Sequence, residues 1–477
     1  MMDYRNLIGG EWVACGEGRA NVNPSDITDI LGHAAQAGEA ELEQAISAAD
    51  AAAPGWAAST PQQRFDVLDF IGTEILARKE ELGTLLSREE GKTLPEGIGE
   101  AARAGQIFKF FAGECLRQTG DILASVRPGV GVEVTRSPVG VVGMITPWNF
   151  PIAIPAWKIA PALAFGNAVV LKPADLVPGC AYALAEIISR SGLPKGVFNL
   201  VLGRGSLIGP KLIADLRVNA ISFTGSVPTG RGIAADCGAR LKKVQLEMGG
   251  KNPMVVLDDA DLDVAVDASL NGAFFSTGQR CTASSRLIVT EGIHDAFVAK
   301  LTERMTALKV GNALEAGIQM GPVVDESQLT QDLDYVKIAA SEGGKVIGGD
   351  RLELAQQGFY MAPALVTETT NDMRINREEV FGPVASVVRV KDYDEALAVA
   401  NDTEFGLSSG ICTQSLKHAT HFKANAAAGM VMVNLPTAGV DYHVPFGGTK
   451  GSSFGSREQG RNSVEFYTTV KTAYTGA

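Results

Sequence analysis

From Val139 to Leu246, short apolar runs alternate with helical patterns, and this alternation constrains the chain more than any other feature. Val139–Ile145, Ala168–Leu171, Val197–Val201, Ala220–Phe223 and Val244–Leu246 read as strands. Ala156–Ala164, Ala181–Ser191, Leu207–Asp215 and Gly230–Cys237 read as the helices between them. Strands without polar alternation are buried on both faces, so the pattern predicts a doubly wound parallel sheet covered by helices. Such sheets bind ligands beyond the carboxyl ends of their strands.

The pattern restarts at Met254–Leu257 and continues through strands Leu287–Thr290, Lys345–Gly348, Ala385–Val390 and Gly429–Asn434, with helices Ala296–Leu308 and Tyr393–Asn401. This predicts a second α/β domain. Before the first sheet, Leu7–Val13 and Ala20–Val22 read as short strands. Glu39–Ala53 reads as a helix ended by Pro54-Gly55. Thr60-Pro61 supplies an N-cap and a first-turn proline for a helix to about Glu90, where Gly91 stops it. A further helix spans about Glu96 to Arg117, and the tail Phe466–Tyr474 alternates like an exposed strand seeking a partner.

A net charge of −12 without a Lys/Arg block disfavours nucleic acid and anionic membranes as partners. Ser137 to Trp157 carries no charge, yet Pro138, Pro147, Pro151 and Pro155 interrupt it, so it reads as strand, loop and helix start rather than a membrane span. The N-terminus shows no signal region. Six scattered cysteines without a CxxC pair argue against a disulfide framework or metal cluster and fit a reducing cytoplasm. His418 and His421 lack companion ligands and read as a helix surface.

Cys281 follows the helical pattern Leu262–Phe275 in a turn of small residues. A reachable thiol with a stabilised thiolate is a nucleophile; a buried structural cysteine is the alternative. Glu247 ends a strand beside two glycines, as a general base or as an exposed charge. Phe223-Thr-Gly-Ser226 follows a strand and opens a helix. There free N–H groups attract phosphate, unless Ser226 simply caps the helix. Gly203-Arg-Gly-Ser-Leu-Ile-Gly209 is spaced GxGxxxG and reads as a dinucleotide loop or a tight turn. Lys172 and Asp175 at another strand end suit a ribose or a solvated turn.

Together these pieces resemble the aldehyde dehydrogenase superfamily over nearly the whole chain. The resemblance is carried by Pro147-Trp-Asn-Phe-Pro151, Lys172-Pro-Ala-Asp175, Phe223-Thr-Gly-Ser226 and Leu246-Glu-Met-Gly-Gly-Lys-Asn-Pro253. It continues in Gly278-Gln-Arg-Cys281, Glu379-Val-Phe-Gly-Pro383 and Pro445-Phe-Gly-Gly448. It implies a Rossmann-like cofactor domain (1–117 and 138–249), an α/β catalytic domain (250–448) and a small β oligomerisation element (118–137 and 459–477). It implies a homodimer or homotetramer.

The resemblance also implies the chemistry. Cys281 attacks an aldehyde to give a thiohemiacetal whose oxyanion is held by Asn149 and the Cys281 N–H. Oxidation leaves a thioester, which Glu247 hydrolyses through an activated water. Lys158 and Glu458 match positions that assist proton transfer, or are surface residues. NAD, with NADP possible, would contact Ile145, Thr146, Pro147, Trp148, Gly205, Gly209, Thr224, Gly225 and Ser226. Lys172 and Asp175 would hold the adenosine ribose, and Glu379 and Phe381 the nicotinamide side. Asp175 stands where NAD-preferring members have Glu, and its carboxylate repels a 2′-phosphate.

Phe150, Ile154, Trp157, Val440 and Phe446 would line the aldehyde tunnel, with Arg280 and Thr282 flanking the nucleophile. The runs 278–286 and 436–446 look similar to α-ketoglutaric semialdehyde (2,5-dioxovalerate) dehydrogenases. A guanidinium suits such a substrate, so Arg280 is expected either to hold its carboxylate or to sit in an internal salt bridge. Trp157 replaces an arginine common in succinate semialdehyde enzymes. Succinate semialdehyde, betaine aldehyde and benzaldehyde types remain alternatives, as do thioester transfer to coenzyme A or phosphate and a non-catalytic binding protein on the same fold.

Overall fold

Five parallel strands form the centre of an eight-stranded sheet in a computed structural model that describes residues 2–476. In spatial order these are Lys243–Glu247, Val218–Thr224, Val141–Ile145, Ala168–Lys172 and Phe198–Leu200. They pair in parallel register, Ile221 opposite Gly143 and Val142 opposite Val169. Antiparallel strands flank them, Ser453–Phe454 beside Lys243–Glu247 at one edge, and Asn6–Ile8 beside Phe198–Leu200 with Glu11–Val13 beyond it at the other. Helices cover both faces, so Val142, Val169, Val170 and Ile221 have no exposure. Met1 and Ala477, the outer ends of the expected cofactor domain and oligomerisation element, lie outside the described residues.

The order of these strands reverses between Val141–Ile145 and Val218–Thr224, and that reversal opens a crevice at their carboxyl ends. A second, seven-stranded sheet has Val384–Val390, Ser284–Thr290 and Asn252–Val256 at its centre, with Ser408–Cys412 next to Asn252–Val256. Lys243–Glu247 leads into it within a few residues, which brings the carboxyl end of the first sheet against the start of the second. The tail strand Thr468–Gly476 pairs antiparallel with Val130–Pro138, which pairs with Asp121–Ala124.

Several elements differ from the sequence reading. The first long helix runs through Pro54 to Ala57. Its last turn is pinned by Trp56, which is buried and donates its indole N–H to the Leu163 carbonyl at 3.1 Å. The helix expected from Pro61 to Glu90 breaks at Arg78, whose guanidinium bridges Glu81 and Glu186. Strands Asp26–Ala34, Ala364–Thr369 and Ser408–Cys412, and helices Glu326–Ser341 and Leu416–Asn425, carry no strong apolar run and were not anticipated individually. The 137–157 stretch is a strand end, a loop and the helix Ala153–Ala164; among the described residues no helix is long and apolar enough to cross a membrane.

Candidate active site

The crevice at the strand reversal is a cleft of about 880 Å³. Its lining includes Pro147, Trp148, Asn149, Thr224, Gly225, Ser226, Glu379 and Phe381. Ser226 takes the N-cap position of the helix Val227–Ala239 but does not cap it with its side chain; its hydroxyl bonds Thr229 at 2.9 Å. The amides of that first turn are therefore left without a side-chain acceptor, the arrangement that receives phosphate. Thr146 Oγ1 and Thr224 Oγ1, one at each strand end, are buried without a partner. Buried hydroxyls without partners are costly, and a polar ligand in the crevice would satisfy them.

Lys172 is buried at the next strand end, its Nζ 2.8 Å from Asp175, and Arg19 Nη1 lies 3.7 Å from the same carboxylate. A solvated turn is thereby excluded for Lys172. Gly205 opens the helix Gly205–Ala214 against this lysine, where an added Cβ would stand 3.3 Å from Nζ. Gly209 faces Ile145 one turn on. Ile145 and Lys172 are paired at these neighbouring strand ends. On the opposite wall Glu379 accepts from the Gly250 amide at 2.8 Å, and burial pushes its carboxyl up to about 7. Phe381, at a strained φ of 69°, stands edge-on to Trp148 with centroids 5.4 Å apart.

Cys281 lies on a strained loop. Ser276 and Thr277 both take left-handed backbone (φ 51° and 55°) after the helix Leu262–Phe274. The surroundings hold that strain. Glu96 accepts from the Ser276 N–H and hydroxyl at 2.8 and 3.0 Å, Thr277 donates to the Gly321 carbonyl, and Asn252 donates to the Cys281 carbonyl at 2.8 Å. Asn149 donates one amide hydrogen to the Gln279 carbonyl at 3.0 Å, which fixes its side chain beside the nucleophile loop.

The thiol is not the stabilised thiolate that the sequence suggested. Burial pushes Cys281 up to about 12, the carboxylates of Glu379 and Glu247 add to the rise, and the backbone amides of Cys281 and Thr282 only partly oppose it. Glu247 is likewise not an exposed charge: it is 2% exposed. Burial raises its carboxyl well above the usual range, the Glu458 charge adds to this, and Ser453 Oγ opposes it with a hydrogen bond of 2.5 Å. Lys158 and Glu458 are not surface residues either. They form an ion pair with side chains 0% and 1% exposed, and Lys158 also donates to Ser222 Oγ at 2.8 Å.

Cys281 opens on a tunnel of about 270 Å³ whose walls include Phe150, Trp157, Arg280, Thr282, Val440 and Phe446. Trp157 stacks on Phe446 with centroids 5.2 Å apart. Tunnel and cleft thus approach the nucleophile from two sides, one lined by the Cys281 side and one by Asn149.

Comparison with known proteins agrees with this geometry. Residues 12–473 match the aldehyde dehydrogenase family. The chain belongs to that family. It is 44% identical to the alpha-ketoglutaric semialdehyde dehydrogenase of Bacillus subtilis (strain 168), over 99% of this chain and 98% of that protein. It is 43% identical to the alpha-ketoglutarate semialdehyde dehydrogenase of Haloferax volcanii, over 98% of each. Its fold superposes on the betaine aldehyde dehydrogenase of Staphylococcus aureus in complex with NAD+ at a TM-score of 0.97, with 34% identity over 99% of this chain and 95% of that one.

For this aldehyde dehydrogenase one tunnel expectation changes, and the choice left open for Arg280 is decided. Ile154 does not line the tunnel. It packs in the main core at 1% exposure, because Ala153 and Trp157 occupy the tunnel-facing stripe of that helix and Ile154 is turned away from it. Arg280 does reach the tunnel, but Nη2 is 3.1 Å from Glu96 and Nη1 is 3.3 Å from Asn271 Oδ1, so it sits in the internal salt bridge. The sequence reading missed Lys92, Glu96, Glu100 and Arg103 as tunnel residues. The signal was present: Glu96, Glu100 and Arg103 recur at helical spacing, which puts them on one face of Leu94–Cys115.

Proposed function

We propose that this enzyme oxidises α-ketoglutaric semialdehyde (2,5-dioxovalerate) to 2-oxoglutarate with NAD as the oxidant, and with NADP as a weaker substitute. The observation that carries the reading is Cys281 at the junction of a tunnel and a nucleotide-sized cleft, with Asn149 and Glu247 beside it. The names of the 43–44% identical relatives support the choice of aldehyde.

The residues then divide the work as follows. The tunnel admits the aldehyde end-on to Cys281. As the sulfur bonds to the carbonyl carbon, its proton leaves to Glu247, whose raised pKa suits it to receive one. The second Asn149 amide hydrogen and the Cys281 N–H stabilise the oxyanion of the thiohemiacetal. Bound NAD(P) supplies a two-electron acceptor on the cleft side. The first-turn amides after Ser226, with Trp148, Thr146, Thr224, Gly225, Gly205 and Gly209, hold the dinucleotide; Lys172 and Asp175 hold the adenosine ribose; Glu379 and Phe381 hold the nicotinamide end. Glu247 then deprotonates water for attack on the Cys281 thioester, and the acid leaves as Cys281 regains a proton. Lys158 and Glu458 carry the proton from Glu247 onward. An acidic base at this position favours hydrolysis over transfer to coenzyme A.

The six cysteines are all free, which supports a reducing, cytoplasmic setting. The strands Asp121–Ala124 and Thr468–Gly476 expose Ile122 at 87% and Tyr474 at 61%, which supports a homo-oligomer joined through this sheet. The test is an initial-rate panel of 2,5-dioxovalerate, succinate semialdehyde, betaine aldehyde and benzaldehyde, each with NAD and NADP. A kcat/KM preference for 2,5-dioxovalerate is expected; equal rates for the uncharged aldehydes would remove the substrate assignment while leaving the chemistry.

A further inference from the structure

The charged residues of the tunnel do not balance. Its walls carry Lys92, Arg103 and Arg280 against Glu96 and Glu100. Lys92 pairs with Glu100 at 2.9 Å, and Arg280 pairs with Glu96 at 3.1 Å. Glu100 is further occupied by the amides of Ile152 and Ala153, at 3.0 and 3.1 Å. Lys92 also lies 3.9 Å from the buried Glu90, so Arg103 is the tunnel cation left with no carboxylate within ion-pairing distance among the described residues.

Arg103 is nonetheless held in place. Its Nη2 donates to Gln459 Oε1 at 3.3 Å, and its guanidinium lies 5.8 Å above the Trp157 ring, which is itself stacked on Phe446. Its Nε is buried without a partner. The ionisable groups that face it are Glu100, the Cys281 thiol and Asp441. A half-buried guanidinium with its Nε buried and unused is costly unless a ligand completes it, and its planar fork matches a carboxylate.

We propose that Arg103 is the specificity-determining residue that anchors the carboxylate of the substrate in the tunnel. The inference rests on the aldehyde dehydrogenase reading above and assigns the anchoring role to Arg103 rather than to Arg280. An ω-oxo acid placed with its aldehyde at Cys281 extends its carboxylate along the tunnel, where Glu96 already neutralises Arg280, Glu100 neutralises Lys92, and Arg103 is the cation without a carboxylate partner among the described residues. The anchor selects for aldehydes that carry an acid group and leaves the reacting carbon free.

The test compares kcat/KM for 2,5-dioxovalerate with kcat/KM for pentanal, an uncharged aldehyde of the same chain length, in the wild type, Arg103→Met, Arg103→Lys and Arg280→Met. The ratio of the two is internal to each protein, so partial loss of folded enzyme cancels. Arg103→Met is expected to lower the ratio about 10- to 100-fold, chiefly through KM for the acid, as loss of a charged hydrogen-bonding partner predicts. Arg103→Lys should restore part of it, and Arg280→Met should change it less than Arg103→Met does. A wild-type ratio near one would mean that the substrate reading itself fails. A high wild-type ratio that survives Arg103→Met, or that collapses only in Arg280→Met, would overturn the role of Arg103 alone.

Discussion

Lys158 and Glu458 meet as a buried ion pair although 300 residues separate them in sequence. Lys158 comes from the helix Ala153–Ala164 of the first half, and Glu458 from the segment that follows the edge strand Ser453–Phe454. Ser222, on a central strand, bonds both members, and Gln245 accepts from Ser222 at 3.1 Å. The pair lies close enough to Glu247 for the Glu458 charge to raise the base and the Lys158 charge to lower it.

Breaking that pair from one side leaves a buried ammonium without its counter-ion. Glu458→Gln is expected to cost about 3–5 kcal/mol of stability, read as a lower urea midpoint. The same change removes a negative neighbour of Glu247 and leaves the positive one. The Glu247 pKa then falls, and the acid limb of the kcat profile moves to lower pH. An unshifted limb would separate Glu458 from the function of the base.

Replacing the base itself should divide the reaction in two. In Glu247→Gln, attack by Cys281 persists more readily than hydrolysis, so the thioester accumulates. Intact-protein mass spectrometry should find the acyl adduct, with steady-state turnover down by about 10²- to 10⁴-fold. Ser453→Ala acts in the opposite direction to Glu458→Gln. It removes a hydrogen bond that favours the ionised carboxyl, so the acid limb moves to higher pH.

The sequence pointed to the proposed catalytic set because each member sits in a short local motif: Cys281 behind Gly278, Asn149 between two prolines, Glu247 before two glycines. The central strands were equally legible, since burial on both faces leaves unbroken apolar runs. What it could not carry was anything decided by tertiary surroundings. Ser408–Cys412 is a fully buried strand built from Ser-Ser-Gly-Ile-Cys, with no apolar run to find. Ile154 and Trp157 are both apolar residues of one helix, and only packing decides that Trp157 faces the tunnel while Ile154 joins the core. The pairing of Arg280 with Glu96, and so the isolation of Arg103, depends on a helix more than a hundred residues earlier in the chain.

A raised thiol pKa has a direct consequence for labelling. The Cys281 folded-state pKa near 12 means that the thiolate is scarce at neutral pH in the absence of cofactor. Iodoacetamide should modify Cys281 slowly at pH 7, and the rate should rise about tenfold per pH unit without a plateau up to about pH 9. A plateau near neutral pH would show that the two carboxylates and burial do not govern this sulfur.

On the proposed mechanism, Asn149→Ala removes one of the two oxyanion donors while leaving Cys281 and Glu247 in place. A fall in kcat of about 10²- to 10³-fold is expected. Because Asn149 Nδ2 also fixes the Gln279 carbonyl, Asn149→Asp is the sharper control. It retains the shape, loses both donors, adds a charge facing the oxyanion, and should be no more active than the alanine variant.

On the proposed reading, cofactor choice turns on one carboxylate between two cations. Asp175 lies 2.8 Å from Lys172 Nζ and 3.7 Å from Arg19 Nη1, and its negative charge occupies the donors that a 2′-phosphate would use. Asp175→Ala removes the repulsion and frees both cations together. The ratio of kcat/KM with NADP to that with NAD should therefore rise at least about tenfold, the effect of one charged hydrogen bond gained and one repulsion lost. Adding Arg19→Ala to Asp175→Ala should return part of that gain, because Lys172 is then the only cation left to meet the phosphate. If Asp175→Ala weakens NAD and NADP equally, the carboxylate serves only the ribose hydroxyls, and discrimination between the two cofactors lies elsewhere in the cleft.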